Sequence, residues 1–108
     1  MADSTFHYEV SETRDANDYP TTTIRCRGRL VSGDTDVLRQ LVMPLITRGG
    51  RIILDLSELD YMDSSGLGAV VGLKVSAINR GLCQLELAHL SPRVRSLLTM
   101  TNLLQLFS

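Results

Sequence analysis

Residues 51–68 read RIILDLSELDYMDSSGLG, and they join an apolar run to a polar junction that contains Asp63, Ser64 and Ser65. The apolar part, residues 51–56, is typical of a central strand that helices cover on at least one side. The residues beyond the junction show helical spacing, so Asp63 or Ser64 is expected to be the N-cap of a helix. A helix start offers unpaired N–H groups and partial positive charge, which suit a capping serine or a phosphorylated one. We therefore expect function at this junction, and the small glycines beside it favour a protein partner over a small substrate.

Two strands are predicted before this stretch. Apolar and polar side chains alternate over residues 6–10, and the polar residues 11–18 are expected to form a loop. A cleaner alternation over residues 22–30 predicts a second strand with one buried face. Its opposite face carries Arg25, Arg27 and Arg29. We interpret these three arginines as a solvated face whose charges are paired, rather than as an anion or nucleic-acid site.

Three helices are predicted from apolar spacing and from end signals. The first covers residues 37–48 and is ended by Gly49 and Gly50, and Pro44 is expected to kink it or to split off its last turn. The third begins at Ser91-Pro92, a cap followed by proline at the first helical position. The second ends at Gly81, and its buried stripe is expected to consist of Leu67, Val70, Val71, Val75 and Ile78.

A further strand over residues 82–88 and a short final strand over residues 103–107 complete the pattern. The order is strand, strand, helix, strand, helix, strand, helix, short strand. It predicts an α/β fold, a single domain with a mostly parallel mixed sheet and helices on one face. The other face is expected to be polar and open, with charges that pair across strands, and to contain Arg25, Arg27, Asp55, Gln84 and Glu86.

The composition excludes several classes of protein. With 11 basic and 12 acidic residues among 108, the chain has no net field that favours nucleic acid or an acidic membrane. It shows neither a leader-like start nor an apolar stretch of about 20 residues, so we expect a cytoplasmic protein that does not enter a membrane. Cys26 and Cys83 lack metal-ligand spacing and are expected to be buried thiols in a reducing compartment. No metal or other cofactor is expected.

The stretch Leu54–Gly68 resembles the signature of the STAS domain family, specifically of bacterial anti-sigma factor antagonists. Ser91–Val94, with Leu97–Met100 and Leu103-Leu104, resembles the third helix of the family and its exit. Together with Gly28–Leu30, the likeness extends over roughly residues 6–107. It implies one STAS domain over residues 1–108.

The resemblance also implies a phosphorylation switch. In the family, the unphosphorylated antagonist binds an anti-sigma factor that is also a serine kinase, and the sigma factor is released. The kinase phosphorylates the serine after the motif aspartate, here Ser64 after Asp63, and a metal-dependent serine phosphatase reverses the step. Asp63, Ser64, Ser65, Gly66 and Leu67 are the expected partner-binding residues. No catalytic residue is expected in this chain.

Two departures from the family pattern affect this interpretation. Val31 stands where many members carry an aspartate after Gly28–Leu30, so the contact with the kinase is expected to differ. The helix that usually follows the last strand is also missing after Phe107 and Ser108, which indicates a minimal domain or a shortened chain. Apolar surface left uncovered at that end predicts a covering partner or a homodimer.

Other interpretations of the same residues stay open. Ser64 could serve only as a helix cap, and Ser65 is expected to be structural. A scaffold or accessory STAS subunit of a signalling or lipid-transport complex would need no phosphorylation. A hydrolase built from Ser64, His89 and an aspartate is a third alternative, but the sequence has no Gly-x-Ser-x-Gly elbow.

Overall fold

The computed structural model describes residues 6–81, 83–103 and 105, which form a mixed four-stranded sheet and three helices. Strand β1 pairs antiparallel with β2, whereas β2–β3 and β3–β4 are parallel, and the strands lie in the order β1-β2-β3-β4. This confirms the predicted α/β fold and the single, mostly parallel mixed sheet. In chain order the elements are β1 (Phe6–Arg14), β2 (Pro20–Leu30), α1 (Thr35–Arg48), β3 (Gly50–Met62), α2 (Ser64–Arg80), β4 (Cys83–Ala88) and α3 (Pro92–Met100).

The sheet has one buried and one polar face. The buried face and the helices share one core, which includes Ile24, Cys26, Ile52, Leu54 and Leu85 from the strands and Leu38, Val42, Ile46, Val70, Leu73 and Leu98 from the helices. On the polar face Arg25 Nε lies 3.9 Å from an Asp55 oxygen, and Arg51 Nη2 lies 2.9 Å from a Glu86 oxygen. The predicted pairing of opposed charges across strands is therefore confirmed. Of the two cysteines, Cys26 is buried, but Cys83 is only partly buried.

The first strand is longer than predicted. Residues 11–14 continue β1 and pair with the start of β2, where Arg14 is opposite Pro20. The polar composition of residues 11–14 is compatible with a strand because β1 is an exposed edge strand that is paired on one side only. The turn that follows is closed by Asp15, whose Oδ1 accepts hydrogen bonds from the N–H groups of Asn17 and Tyr19 at 2.8 and 2.9 Å.

The helices correct two predictions in part. Of the two outcomes expected at Pro44, the split of the last turn is wrong, because α1 runs through Pro44 to Arg48, and the kink stays a prediction. Helix α2 buries Leu73 and Ala77, whereas Val75 and Ile78, which were predicted to be buried, are 42% and 55% exposed. The helix packs against α1, β4 and β3, so its buried face is set by three neighbours.

The third strand continues past the predicted end at Leu56. Leu54, Asp55 and Leu56 are buried in succession, and the register between β2 and β3 shifts here, so the alternation is interrupted and then resumes. The extended part pairs Leu30 with Met62. Strands β2 and β3 therefore end side by side at one edge of the sheet.

The end of the chain can be compared with its prediction only in part. Leu103 and Gln105 are not in a strand, and the other residues of the predicted short strand lie outside the described residues, as does Leu82 before β4. Self-association through this end stays a prediction.

Within the described ranges, no helix has the length and apolar character needed to cross a bilayer.

Candidate functional site

The junction of β3 and α2 is held together by Asp63. Its Oδ1 accepts a hydrogen bond from the Gly66 N–H at 2.9 Å, which makes Asp63 the N-cap of α2. Its Oδ2 accepts from the Ser32 N–H at 3.4 Å, and its own N–H donates to the Leu30 carbonyl at 3.4 Å. One residue thus joins the loop after β2 to the start of α2. Of the two predicted caps, the structure selects Asp63.

These hydrogen bonds stabilise the ionised form of Asp63. The pKa of its carboxyl is lowered, first by the hydrogen bond from the Gly66 N–H and further by that from Ser32, although partial desolvation opposes the shift. Because the folded-state pKa is the lower one, this stabilisation is present above the unfolded pKa and is lost as the pH falls through the folded value. A negative charge is therefore present at the start of α2 at neutral pH, where its interaction with the helix dipole is favourable.

Ser64 and Ser65 are the first two residues of α2, and both are exposed. Because Asp63 occupies the cap position, Ser64 is not the residue that caps the helix. Its hydroxyl is at the surface, at the edge where β2 and β3 end. Phosphorylation of Ser64 remains a prediction.

The remaining residues of the predicted partner surface are less accessible. Gly66 is buried, and a Cβ at this position would overlap the Leu30 carbonyl oxygen and lie 2.9 Å from Met62 Cγ. The absence of a side chain at Gly66 therefore allows the start of α2 to pack closely against Leu30 and Met62. Leu67 is 8% exposed, whereas Gly68 faces open space. Contact of Gly66 and Leu67 with a partner stays a prediction.

A groove of about 360 Å³ lies between this junction and α3. Its lining combines the end of β3, the start of α2 and one side of α3: Tyr61, Met62, Asp63, Ser64, Arg93, Ser96, Leu97 and Met100. Helix α3 begins at the predicted cap, since Ser91 Oγ accepts a hydrogen bond from the Val94 N–H at 3.3 Å. Sequence analysis did not place α3 at the site, because no spacing in the chain links it to residues 61–64.

Two guanidinium groups pack over the ring of Tyr61 in this region. The Cζ atoms of Arg29 and Arg93 lie 5.2 and 4.8 Å from the ring centroid, within the range of cation–π contacts. The sequence grouped Arg29 with the paired arginines of β2. That interpretation holds for Arg25 and Arg27, which both lie within 4.0 Å of Glu9 oxygens. Arg29 is exposed as predicted, but no described carboxylate lies within that distance of it. The β2–β3 register shifts after Gly28, and this shift brings Arg29 beside Tyr61.

The structure does not bring a serine, a histidine and an aspartate together at this site. His89 is exposed and lies outside the groove lining. His89 follows Ala88, and Ala88 pairs with Asp55 of β3. Asp55 is seven residues before Met62, so the two lie roughly 20 Å apart along the strand. The hydrolase alternative thus lacks its histidine. Across the described part of the chain, no group of three or more His, Cys, Asp or Glu side chains could hold a metal ion.

The thiols are also unsuited to nucleophilic chemistry. Burial, with a smaller effect of the Asp55 charge, raises the pKa of Cys26 to about 12. Burial also raises the pKa of Cys83, against a lowering effect of Lys74. Because the thiolate is the reactive form, both residues are held mostly as thiols near neutral pH.

Comparison with known proteins shows which family has this sequence and fold. Residues 9–108 match the family model of the STAS domain. The chain belongs to the STAS domain family. Among curated relatives, it is 34% identical over 85 residues to a STAS-domain containing protein of Pseudomonas aeruginosa, with 79% of this chain and 83% of the relative covered. It is 35% identical over 78 residues to the anti-sigma-B factor antagonist of Bacillus subtilis, with 68% and 71% covered.

Solved structures of STAS domains share the architecture. The anti-sigma factor antagonist SpoIIAA in its unphosphorylated form matches with a TM-score of 0.71 and 27% identity, over 90% of this chain and 82% of that one. The Bacillus cell fate determinant SpoIIAA in the phosphorylated form matches with a TM-score of 0.69 and 26% identity, over 90% and 85%. The family resemblance stated from the sequence is thereby confirmed.

Proposed function

We propose that this STAS domain is an anti-sigma factor antagonist that is switched by phosphorylation of Ser64. The observation that supports the proposal best is the position of Ser64, an exposed hydroxyl on the first residue of α2, directly after the capping Asp63. The similarity to the anti-sigma-B factor antagonist and to SpoIIAA supports the same role. In this proposal the domain, residues 1–108, acts in the cytoplasm.

The proposed domain works by binding and supplies no catalysis of its own. Unphosphorylated, it binds an anti-sigma factor through the surface around residues 63–67 and so releases a sigma factor. The anti-sigma factor is also a serine kinase, which transfers the γ-phosphoryl group of ATP to Ser64 Oγ and leaves ADP and the hydroxyl proton. A serine phosphatase hydrolyses the phosphate ester and restores the hydroxyl.

The added charge explains why binding would stop. A phosphate introduces about −1.5 to −2 charge onto a surface that previously held a neutral hydroxyl. Asp63 beside it is already ionised, so the two negative groups together oppose a partner that fits the unmodified surface. Since Ser64 is exposed, the phosphate needs no rearrangement of the core.

The site assignment is tested by incubation with the candidate kinase and ATP, read by intact mass. We expect one phosphate on the wild-type chain, none on Ser64→Ala and one on Ser65→Ala, which is the matched control. Peptide mapping that places the phosphate on Ser65 would contradict the assignment. Binding of the anti-sigma factor to the unmodified domain, with no phosphate added by an active kinase, would favour the accessory or scaffold role instead.

A further inference from the structure

Two arginines at the site differ from most others in their surroundings. In the described ranges, six arginines lie within 4.0 Å of a carboxylate oxygen: Arg14, Arg25, Arg27, Arg39, Arg48 and Arg51. Arg29 and Arg93 have no described carboxylate at that distance and pack on the Tyr61 ring instead. Cation–π contact orients a guanidinium but leaves its N–H donors available for an anion.

Arg93 and Ser64 line the same groove, from α3 and α2 respectively. A group attached to Ser64 would therefore lie beside a groove of about 360 Å³ that Arg93 also lines. Arg29, from β2, packs on the same Tyr61 ring but does not line the groove. The cation nearest to position 64 in this groove is therefore Arg93.

The start of α2 offers a phosphate fewer free N–H donors than an uncapped helix end would. The Gly66 N–H already donates to the Asp63 carboxylate, and the Leu67 N–H donates to the Asp63 carbonyl at 2.9 Å. The Asp63 carboxylate itself repels a second anion. Because these donors are occupied and Asp63 repels it, a phosphate on Ser64 is expected to point away from the helix axis and toward a cation across the groove. A guanidinium suits this role, because its planar fork pairs with phosphate oxygens through two N–H groups.

We propose that Arg93 binds the phosphate of phosphorylated Ser64 within the same molecule. This inference rests on the proposed function, since it assigns a receptor to the modification proposed there. The titratable and charged residues that line the groove are Tyr61 on β3, Asp63 at the N-cap of α2 and Arg93 on α3, and Arg29 on β2 contacts the Tyr61 ring. The ion pair neutralises Arg93, so phosphorylation alters the surface of α3 as well as that of α2.

The test uses the full chain with phosphoserine incorporated at position 64 by genetic encoding, so that it needs no kinase. The second ionisation of the phosphate is followed by ³¹P NMR between about pH 4 and 8, on both sides of its usual pKa of about 6. Arginine contacts favour the dianion and lower this pKa. We expect Arg93→Gln to raise the pKa by about 0.5 unit, equivalent to about 0.7 kcal/mol, and Arg29→Gln to raise it less.

Arg95→Gln is the matched control, because Arg95 is also an exposed arginine of α3 but does not line the groove. It removes the same net charge and is expected to leave the pKa almost unchanged. Arg93→Lys keeps the charge and is expected to restore part of the shift, which a purely structural effect of the glutamine would not do. Equal titration of the Arg93→Gln and Arg95→Gln proteins overturns the proposal.

This experiment and the kinase assay can fail independently. If no kinase modifies Ser64 but the ³¹P titration shows the expected difference, the phosphate receptor exists and the proposed regulation is wrong. If the kinase modifies Ser64 but removal of Arg93 leaves the titration unchanged, the proposed function stands and the receptor does not.

Discussion

Gly66 and Gly68 are separated by one residue on α2, yet their surroundings are opposite. A Cβ at Gly66 would overlap the Leu30 carbonyl, which is backbone and has little freedom to move, whereas a Cβ at Gly68 meets nothing within 4 Å. We expect Gly66→Ala to lower the free energy of unfolding by about 1–3 kcal/mol through overpacking. Gly68→Ala should raise it by about 0.5–1 kcal/mol, because alanine favours the helix.

Urea unfolding followed by circular dichroism measures both changes, and Gly68→Ala is the control for the added methyl group. A Gly66→Ala protein as stable as the wild type would show that α2 does not approach Leu30 this closely. A loss of stability in Gly66→Ala would show that packing inside the domain is sufficient to favour glycine at this position.

The prediction of single residues succeeded where the relevant contacts are local. Asp63 was recognised as a cap candidate because the cap contacts an N–H three residues later. Arg29 and Arg93 were missed at the site because their position depends on contacts across the sheet. A shift in the β2–β3 register, which no local pattern records, brings Arg29 to Tyr61. Arg93 reaches it only through the packing of α3.

At the scale of elements, the face that α2 buries shows how a clear pattern was misread. The prediction was right for Leu67 and Val70, which are buried, but Val75 and Ile78 are exposed. The core side of α2 uses Ala69, Leu73 and Ala77 instead. Ile78 and Ala77 are adjacent in the chain, and one residue is about 100° around a helix of 3.6 residues per turn. The prediction selected large side chains over the alanines that also pack against the core.

Single substitutions can verify this orientation of α2. Leu73 is 2% exposed, so Leu73→Ala should cost about 2–5 kcal/mol of unfolding free energy. Ile78→Ala removes a similar apolar volume from a side chain that is 55% exposed, and it should change stability by about 0.5 kcal/mol or less. Thermal or urea unfolding distinguishes the two. A larger loss for Ile78→Ala than for Leu73→Ala would mean that the predicted stripe, and not the observed one, faces the core.

The element order and the pairing directions could be predicted because they follow from alternation and from helix end signals. Gly81 ends α2 in the left-handed conformation, with φ of 74°, and Ser91 caps α3, as the sequence indicated. The lengths of β1 and β3 could not be predicted. Polar residues in β1 are tolerated because it is an edge strand, and β3 contains an irregularity in which Asp55 Oδ1 accepts a hydrogen bond from the Ser57 N–H at 3.0 Å.

At the scale of the whole molecule, we expect the switch to act by blocking the surface and not by refolding the domain. Ser64 is exposed and its neighbour Asp63 holds the helix start through main-chain contacts, so charge at position 64 leaves those contacts in place. Ser64→Asp should weaken binding to the anti-sigma factor at least about tenfold, which is about 1.4 kcal/mol. Aspartate carries less charge than phosphate and reproduces its effect incompletely.

Calorimetry gives the affinity, and two-dimensional NMR shows where the domain changes. Shifts should be confined to residues 60–72, the adjoining strand ends and the facing side of α3. Shifts throughout the domain, or unchanged affinity in the truly phosphorylated protein, would contradict the blocking mechanism.

The β1–β2 turn around Asp15 has a practical consequence for work on this protein. It precedes Pro20, whereas Leu30, at the other end of β2, contacts Asp63. Ten residues of strand thus separate the turn from the site by roughly 30 Å. The exposed Asn17 at its tip is therefore a suitable point for a fluorophore or for tethering to a sensor chip. A domain immobilised there presents Ser64 and the groove to the solution, so kinase, phosphatase and anti-sigma factor can be compared on one oriented surface.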